Sequence, residues 1–259
     1  MPDLKGKVAV ITGAGRGIGR TIALSLAEQG MSIGVNDVNP TLAEGVVAEL
    51  HARGRHAVAL VANVAEKPQV TAMIDRAEQE LGPLWLLVNN AGVVTIGSTA
   101  DLSEEAWDQV FDVDAKGVFL CSQAAIRKMI PRQRGRIVNF ASIAGQIVRT
   151  GQISYCAAKA AVIHFSRCLA VEMAPYGITV NCICPGMTWT EMLSVSSKER
   201  GLDMDALVEM IPDKRMAKEE DHAAMVAFFA GEDSAHINGQ VIAVDGAQSL
   251  YHPLTMKRS

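Results

Sequence analysis

The segment VAVITGAGRGIG, residues 8–19, joins a short apolar run directly to a glycine-rich turn. The apolar run predicts a buried strand, and the amphipathic stretch after the turn predicts a helix. In this setting Gly13 permits a tight turn, whereas Gly17 and Gly19 let the backbone approach phosphate groups closely. A pyrophosphate would then meet the helix N-terminus, whose amides and dipole favour an anion. The segment therefore predicts the phosphate cradle of a dinucleotide-binding βα unit.

The same strand–helix unit recurs along the 259-residue chain. Helical patterns stop at Gly30, Gly54, Gly82 and Gly177, and glycine is common just past a helix end. Strands that alternate with helices of this length indicate a parallel sheet covered by helices on both faces, and right-handed crossovers make it doubly wound. We therefore predict a single α/β domain over residues 1–259. The seven expected strands are 7–12, 32–37, 57–61, 84–89, 135–141, 179–184 and 240–244.

The stretch from about 188 to 215 breaks this alternation, because it is rich in methionine and charged residues. We predict a helical insertion above the carboxyl edge of the sheet, where ligands bind in doubly wound folds. Its methionines Met192, Met204 and Met210 either offer adaptable apolar surface to a substrate or pack the insertion against the protein.

The bulk properties argue against several classes of function. A net charge of -4 gives no sign of a nucleic-acid or anionic-membrane surface. No apolar run approaches the roughly 20 residues that span a bilayer, and residues 1–5 lack the profile of a secretion signal. We therefore expect a cytoplasmic protein. Five dispersed cysteines argue against a disulfide framework, and six histidines without ligand spacing argue against a metal.

Tyr155 and Lys159 lie four residues apart in SYCAAK, residues 154–159. On a helix such a pair shares one face, so a phenol and an ammonium point into the same space. The positive charge favours the phenolate form, which suits a general acid and base near neutral pH. Together with the glycine-rich turn, this pair predicts an oxidoreductase that uses a dinucleotide.

Asp37 ends the second expected strand, about 20 residues after the glycines. A carboxylate there accepts hydrogen bonds from the adenosine ribose and repels a 2′-phosphate, which favours NAD over NADP. Arg16 in the turn argues the other way, because a guanidinium can pair with a 2′-phosphate. Asp37 also has a purely structural interpretation as a turn residue ahead of Asn39 and Pro40.

These motifs, with three more, resemble the short-chain dehydrogenase/reductase family from about residue 4 to 247. NNAG (89–92) resembles its sheet-supporting signature, and PGMTWT (185–190) resembles its nicotinamide-binding segment. Ser142 lies thirteen positions before Tyr155, which is the usual separation in the family. The resemblance implies a Rossmann-like fold and an NAD cofactor. The expected cofactor-binding residues are Gly13, Arg16, Gly17, Ile18, Gly19, Asp37, Asn63, Val64, Asn90, Ala91, Gly92, Tyr155, Lys159, Pro185, Gly186, Thr188 and Thr190.

The resemblance also implies the catalytic roles. Tyr155 exchanges the proton with the substrate oxygen, Ser142 orients that oxygen, and Lys159 binds the nicotinamide ribose and eases proton loss from the tyrosine. The chain departs from the family at Asn63, where Asp is usual, and at Asp114, where an Asn normally completes a catalytic tetrad. We expect Asp114 to preserve the proton relay and to hold the lysine charged. The alternative is that Asp114 only caps or bends its helix.

The substrate side gives weaker signals. The expected substrate contacts are Ser142, Gln152, Tyr155 and Trp189. Arg149 is the one cation in the region of the expected substrate wall, and it is interpreted as a surface-loop residue rather than as a substrate contact. We therefore expect NAD-dependent oxidation of a small neutral secondary alcohol, polyol or sugar-like compound, or reduction of its ketone. The alternatives are an NADP-dependent 3-oxoacyl thioester reductase and a dinucleotide-binding protein without turnover. The resemblance further implies a homotetramer or homodimer, assembled through long helices near 106–129 and 152–175 and through the last helix and strand.

Overall fold

A computed structural model describes residues 4–190 and 203–251 of the chain. Within them, seven parallel strands form one sheet in the order β3-β2-β1-β4-β5-β6-β7. The direction in which strands are added reverses at β1. Strands β2 and β3 are added on one side of β1, and β4 to β7 are added on its other side. The strands are β1 Val8–Ile11, β2 Ser32–Asp37, β3 Ala57–Val61, β4 Leu84–Asn89, β5 Gly135–Phe140, β6 Ile178–Pro185 and β7 Val241–Val244.

Helices cover both faces of this sheet. Apolar side chains of α1, α2 and α8 pack on one face, and those of α3, α5 and α6 pack on the other. The predicted doubly wound α/β fold is therefore confirmed. The helices are α1 Gly17–Glu28, α2 Pro40–Ala52, α3 Lys67–Leu81, α4 Glu104–Phe111, α5 Gly117–Met129, α6 Ile153–Met173, α7 Met204–Glu209 and α8 Glu219–Ala230.

The sequence located the strands well, because buried apolar runs bounded by polar turns are unambiguous. Strands β2, β3 and β4 have the predicted bounds, β5 and β7 differ by one residue at one end, and β1 and β6 differ by one residue at both ends. The expected insertion begins after β6, and α7 is its described helix; residues 191–202, including Met192, lie outside the described residues.

The long helix expected near 106–129 is present as one helical run from Glu104 to Met129. Within it, a π-helical turn, Asp112–Lys116, separates α4 from α5. Such turns insert extra backbone into an α-helix and occur often at functional sites. This turn contains Asp114, whose side chain is buried.

Candidate active site

The glycine-rich turn after β1 is packed so closely that a Cβ at Gly13 or at Gly19 would clash. A Cβ at Gly13, whose φ is 61°, would lie 2.8 Å from Ala91 Cα. A Cβ at Gly19 would overlap Gly13 O and lie 2.6 Å from Asn90 Nδ2. At Gly17 the nearest atom to such a Cβ would be Glu219 Oε1, 3.7 Å away, so the first turn of α1 stays accessible. The turn therefore fits a dinucleotide pyrophosphate at the helix N-terminus.

Asn90 fixes this turn to the end of β4. Its amide donates to Thr12 O at 2.9 Å and to Gly13 O at 3.0 Å. The Thr12 hydroxyl in turn accepts from the backbone N–H groups of Asn90 and Ala91, both at 3.0 Å. These four hydrogen bonds hold the glycine-rich turn in a fixed position relative to the segment after β4, which continues with Gly92.

Asp37 lies beside the same turn. Its Oδ2 accepts from Gly15 N at 3.1 Å and its Oδ1 accepts from Asn39 N at 3.0 Å. The structure is compatible with both sequence-based interpretations of Asp37. Its carboxylate stabilises the loop that leads into α2, and it also lies beside the glycine-rich turn. A Cβ at Gly15 would lie 2.6 Å from Asp37 Oδ2, so glycine is required for this approach. Arg16 is exposed at the first residue before α1.

Asn63 and Val64 follow β3 at the same edge of the sheet. Asn63 Oδ1 accepts from Ala65 N at 3.0 Å, which closes a turn, and Val64 is buried. Asp is usual in the family where this chain has Asn63, and the amide supplies the same acceptor for the turn.

Asp114 and Lys159 form a buried ion pair beneath the site. Asp114 Oδ2 lies 3.0 Å from Lys159 Nζ, and the two residues are 0% and 3% exposed. Asp114 Oδ1 accepts from Val93 N at 2.7 Å, and Lys159 Nζ donates to Phe140 O at 3.1 Å. Besides the ammonium, Asp114 Oδ2 has no polar partner among the described residues. The carboxylate therefore fixes the ammonium between the ends of β4 and β5.

The ion pair decides the charge of the lysine. Burial alone lowers the pKa of Lys159, but Asp114 and then Tyr155 raise it, so the net pKa lies above the ordinary value. The ammonium also lies 5.5 Å from the centre of the Tyr155 ring. Lys159 is thus held positively charged beside the phenol, as the sequence predicted for the pair.

Glycine-mediated packing links this pair to the cradle and to Ser142. A Cβ at Gly92 would lie 2.9 Å from Asp114 Oδ2 and 3.3 Å from Lys159 Nζ. A Cβ at Gly145 would lie 2.7 Å from the carbonyl carbon of Lys159, so the loop that starts at Ser142 packs directly on α6. The cradle and the Tyr–Lys pair therefore belong to one continuous site.

A cavity of about 120 Å³ lies over these groups. Ser142 and Tyr155 line it together with Gln152 and the segment that follows β6. Ser142 Oγ accepts from Ala144 N at 3.1 Å, so its hydroxyl proton is available to a ligand. The structure thus brings the predicted substrate contacts Ser142, Gln152 and Tyr155 together. Trp189 is 56% exposed and is not among the described residues that line this cavity.

The segment after β6 is anchored by a histidine that the sequence analysis missed. Thr188 Oγ1 donates to Gly186 O at 3.0 Å and lies 2.8 Å from Nε2 of the buried His222. With the hydroxyl proton directed to Gly186, Nε2 must carry the imidazole proton and Nδ1 is left bare. Nδ1 has no hydrogen-bond partner in the described part of the chain. Burial lowers the pKa of His222 to about 4, with Asp221 partly opposing the shift.

Arg149 is the second residue that was misjudged. It was expected on the surface of a loop, yet it is half-buried and lines the cavity with Ser142 and Tyr155. Its place between those two residues in the chain was the available signal. His222 gave no comparable signal, because its partner Thr188 lies 34 residues away along the chain.

Two further properties concern the described residues, 4–190 and 203–251. Among them, no group of three or more His, Cys, Asp and Glu side chains is arranged to hold a metal ion. None of their helices is both long and apolar enough to cross a membrane.

A dinucleotide cradle beside a serine, a tyrosine and a charged lysine defines an oxidoreductase that uses a nicotinamide cofactor. The chain belongs to the short chain dehydrogenase family, whose pattern it matches over residues 7–201. The predicted family membership is therefore confirmed.

Characterised relatives and solved structures match almost the whole chain. The 3-oxoacyl-(acyl-carrier-protein) reductase FabG of Staphylococcus aureus is 40% identical, covering 94% of this chain and 98% of the relative. The 2,3-dihydro-2,3-dihydroxybenzoate dehydrogenase of Bacillus subtilis is 38% identical, covering 95% and 97%. The structure of a putative gluconate dehydrogenase from Agrobacterium tumefaciens superposes with a TM-score of 0.92 at 31% identity, covering 96% of this chain and 98% of the other.

Proposed function

We propose that the protein transfers hydride between NAD and a secondary alcohol or the matching ketone, with a polyol, a sugar derivative or another small hydroxylated compound as substrate. The carrying observation is the cavity that Ser142 and Tyr155 line together, with the ammonium of the buried Lys159 5.5 Å from the centre of the Tyr155 ring. A substrate oxygen in this cavity is within reach of a hydroxyl donor and of a phenol. The catalytic residues in this proposal are Asp114, Ser142, Tyr155 and Lys159.

When bound, the nicotinamide supplies the hydride acceptor or donor. Tyr155 removes the hydroxyl proton of the alcohol during oxidation and returns it during reduction. Ser142 donates a hydrogen bond to the same oxygen through its hydroxyl proton, while its hydroxyl oxygen accepts from Ala144 N. Lys159 stabilises the negative charge that develops on the phenol. Asp114 keeps that lysine charged and in place.

NAD is the proposed cofactor because Asp37 presents a carboxylate beside the cradle. Burial of a 2′-phosphate against that carboxylate would bring like charges together, which discriminates against NADP. Arg16 is the counter-argument, since its exposed guanidinium precedes α1 and is able to pair with a 2′-phosphate. For the rest of the cofactor, we propose contacts with the same residues that the sequence analysis gave as cofactor-binding.

A second candidate is an NADP-dependent 3-oxoacyl thioester reductase. Arg16 and the 40% identity to a 3-oxoacyl-(acyl-carrier-protein) reductase both favour it. Two other similar proteins are named for acids, a 2,3-dihydro-2,3-dihydroxybenzoate and a gluconate. The relatives therefore support the reaction type more strongly than any one substrate. We also propose a homotetramer or homodimer, and a cytoplasmic location stays a prediction.

One experiment separates these candidates. Purified protein is screened by NADH and NADPH fluorescence against polyols, sugars, diols, hydroxy acids and an acetoacetyl thioester. We expect NAD-linked oxidation of a small hydroxylated compound, and a higher kcat/KM for NAD than for NADP. Faster NADPH-linked reduction of the thioester would favour the second candidate.

The chemistry itself is tested at Tyr155. Tyr155→Phe removes the proton-transfer group and should lower kcat by about 10²–10⁴-fold. Tyr176→Phe, at the far end of α6, is the matched control and should keep wild-type activity. Full activity in Tyr155→Phe would exclude the proposed mechanism, and a chain that binds NAD without any turnover would be a binding protein.

A further inference from the structure

Arg149 is a charged residue inside the proposed substrate cavity. Ser142, Gln152 and Tyr155 line the same cavity, and the lining is completed by Ile143, Ala144, Pro185, Gly186 and Met187. Arg149 is therefore the single charged side chain among the described residues of this lining. Any substrate that reaches the catalytic hydroxyls passes within the field of its guanidinium.

The guanidinium has no counter-ion in the described part of the chain. Its residue is half-buried, and none of the hydrogen bonds or ion pairs of residues 4–190 and 203–251 involves the guanidinium nitrogens of Arg149. Burial lowers the pKa of Arg149, with Tyr155 and Cys156 partly offsetting the effect. Keeping a cation half-buried without an anion costs free energy, which a bound anion would return.

The other nearby cation does not serve the same purpose. Lys159 lies beneath the cavity, and Asp114 already balances its charge at 3.0 Å. An anionic substrate group therefore meets net positive charge on the Arg149 side of the cavity only. Arg149 lies on the loop between Ser142 and Tyr155, seven residues after the first and six before the second. The guanidinium-bearing residue and the two hydroxyl-bearing residues therefore line one cavity from the two ends and the middle of the same loop.

We propose that Arg149 forms an anion subsite and that the substrate is a hydroxy acid, in which a carboxylate accompanies the reacting secondary alcohol. A guanidinium binds a carboxylate through two parallel hydrogen bonds, which orients as well as attracts it. Gln152 lies in the same lining and offers an amide to other oxygens of the substrate. The inference rests on the proposed function and narrows its small hydroxylated substrate to an acid.

Matched substrate pairs test the inference. The pairs are 3-hydroxybutyrate against its methyl ester, and gluconate against sorbitol, each with NAD and with NADP. The expected result is a preference for the acid of about 30-fold or more in kcat/KM, because the neutral partner leaves the buried cation unpaired. An equal or higher kcat/KM for the neutral partner, or for an acetoacetyl thioester over all the acids, would overturn the inference.

Variants then test whether the preference for the acidic substrate depends on the Arg149 side chain. Arg149→Met keeps the length of the chain without its charge and should bring the ratio of kcat/KM for the acid to kcat/KM for the neutral partner down to about one. Arg149→Lys should restore part of the preference, since the charge returns without the bidentate geometry. Arg134→Met is the matched control, because Arg134 is exposed just before β5 and remote from the carboxyl edge of the sheet. An unchanged ratio of acid to neutral kcat/KM in Arg149→Met contradicts the inference.

A binding measurement separates failure of the inference from failure of the proposed function. The protein loaded with NADH is titrated with isobutyrate and with isobutyramide, and the thermal midpoint is followed. Stabilisation of wild type by the carboxylate alone, and its loss in Arg149→Met, supports the anion subsite even if no alcohol is oxidised. Equal shifts with both compounds in both proteins refute the subsite, whatever the enzyme oxidises.

Discussion

Replacing His222 with leucine or glutamine should remove much of the protein's sensitivity to acid. The imidazole is buried against the Phe140 ring, with ring centroids 6.5 Å apart, and its Nδ1 lacks a partner among the described residues. A proton on Nδ1 would therefore be buried without an acceptor. Burial accordingly lowers the pKa of His222 from 6.5 to about 4 in the folded protein.

The magnitude follows from proton linkage. Above pH 6.5 the imidazole is neutral in both states, so its contribution to stability is complete. As the pH falls towards 4, the unfolded chain binds a proton that the folded protein does not, and stability decreases. A difference of about 2.5 pH units at 1.36 kcal/mol each gives a loss of roughly 3 kcal/mol. Below pH 4 this group contributes no further change.

The assay is reversible urea unfolding between pH 7.5 and 4 at one fixed protein concentration. Fixing the concentration matters because association changes apparent stability. His222→Leu and His222→Gln should each lose about 3 kcal/mol less than wild type across this range. The glutamine variant can still hydrogen-bond to Thr188, so agreement between the two variants isolates the titration from the contact. Parallel losses in wild type and both variants would refute the reasoning.

Three further predictions concern the site. Asp114→Asn should lower the pKa of Lys159, so activity should fall at a lower alkaline pH; an unchanged pH–kcat profile would deny the carboxylate a role. Gly92→Ala places a Cβ 2.9 Å from Asp114 Oδ2 and should cost up to about 10²-fold in kcat by displacing the ion pair. Wild-type kcat in that variant would mean that the pair tolerates movement. Asp37→Ala should reduce the ratio of kcat/KM for NAD to that for NADP by about tenfold or more. Asp37→Asn serves as its control, because it keeps an acceptor for Gly15 N, and an unchanged ratio in both variants would exclude Asp37 as a determinant.

The sequence predicted the sheet and the cradle because both depend on local patterns. Apolar runs locate the strands, and glycines at fixed spacing locate a turn that tolerates no Cβ. The Tyr155–Lys159 pair was equally local, since four residues on a helix define one face. Its association with the cradle required only that the strands be parallel, which brings their carboxyl ends to one edge of the sheet.

Features that depend on packing between distant segments escaped prediction. The π-helical turn Asp112–Lys116 has no sequence signature distinct from an ordinary helix, so the orientation of Asp114 could not be foreseen. The burial of Arg149 depends on how one loop packs against α6, and the contact between His222 and Thr188 joins α8 to the end of β6. For Asp114 and His222 the decisive partner is remote along the chain, so residue spacing carries no information about it.

The π-helical turn also makes it possible to change the direction of the Asp114 side chain while keeping its carboxylate. Deleting one residue of 112–116 other than Asp114 would convert the turn to regular α-helix while α4 and α5 keep their relative orientation, because a π-helical turn absorbs one extra residue. The chain would then still contain Asp114, but its carboxylate would point away from the Lys159 ammonium. Such an indel would show whether catalysis needs a carboxylate in the protein or a carboxylate pointing one way.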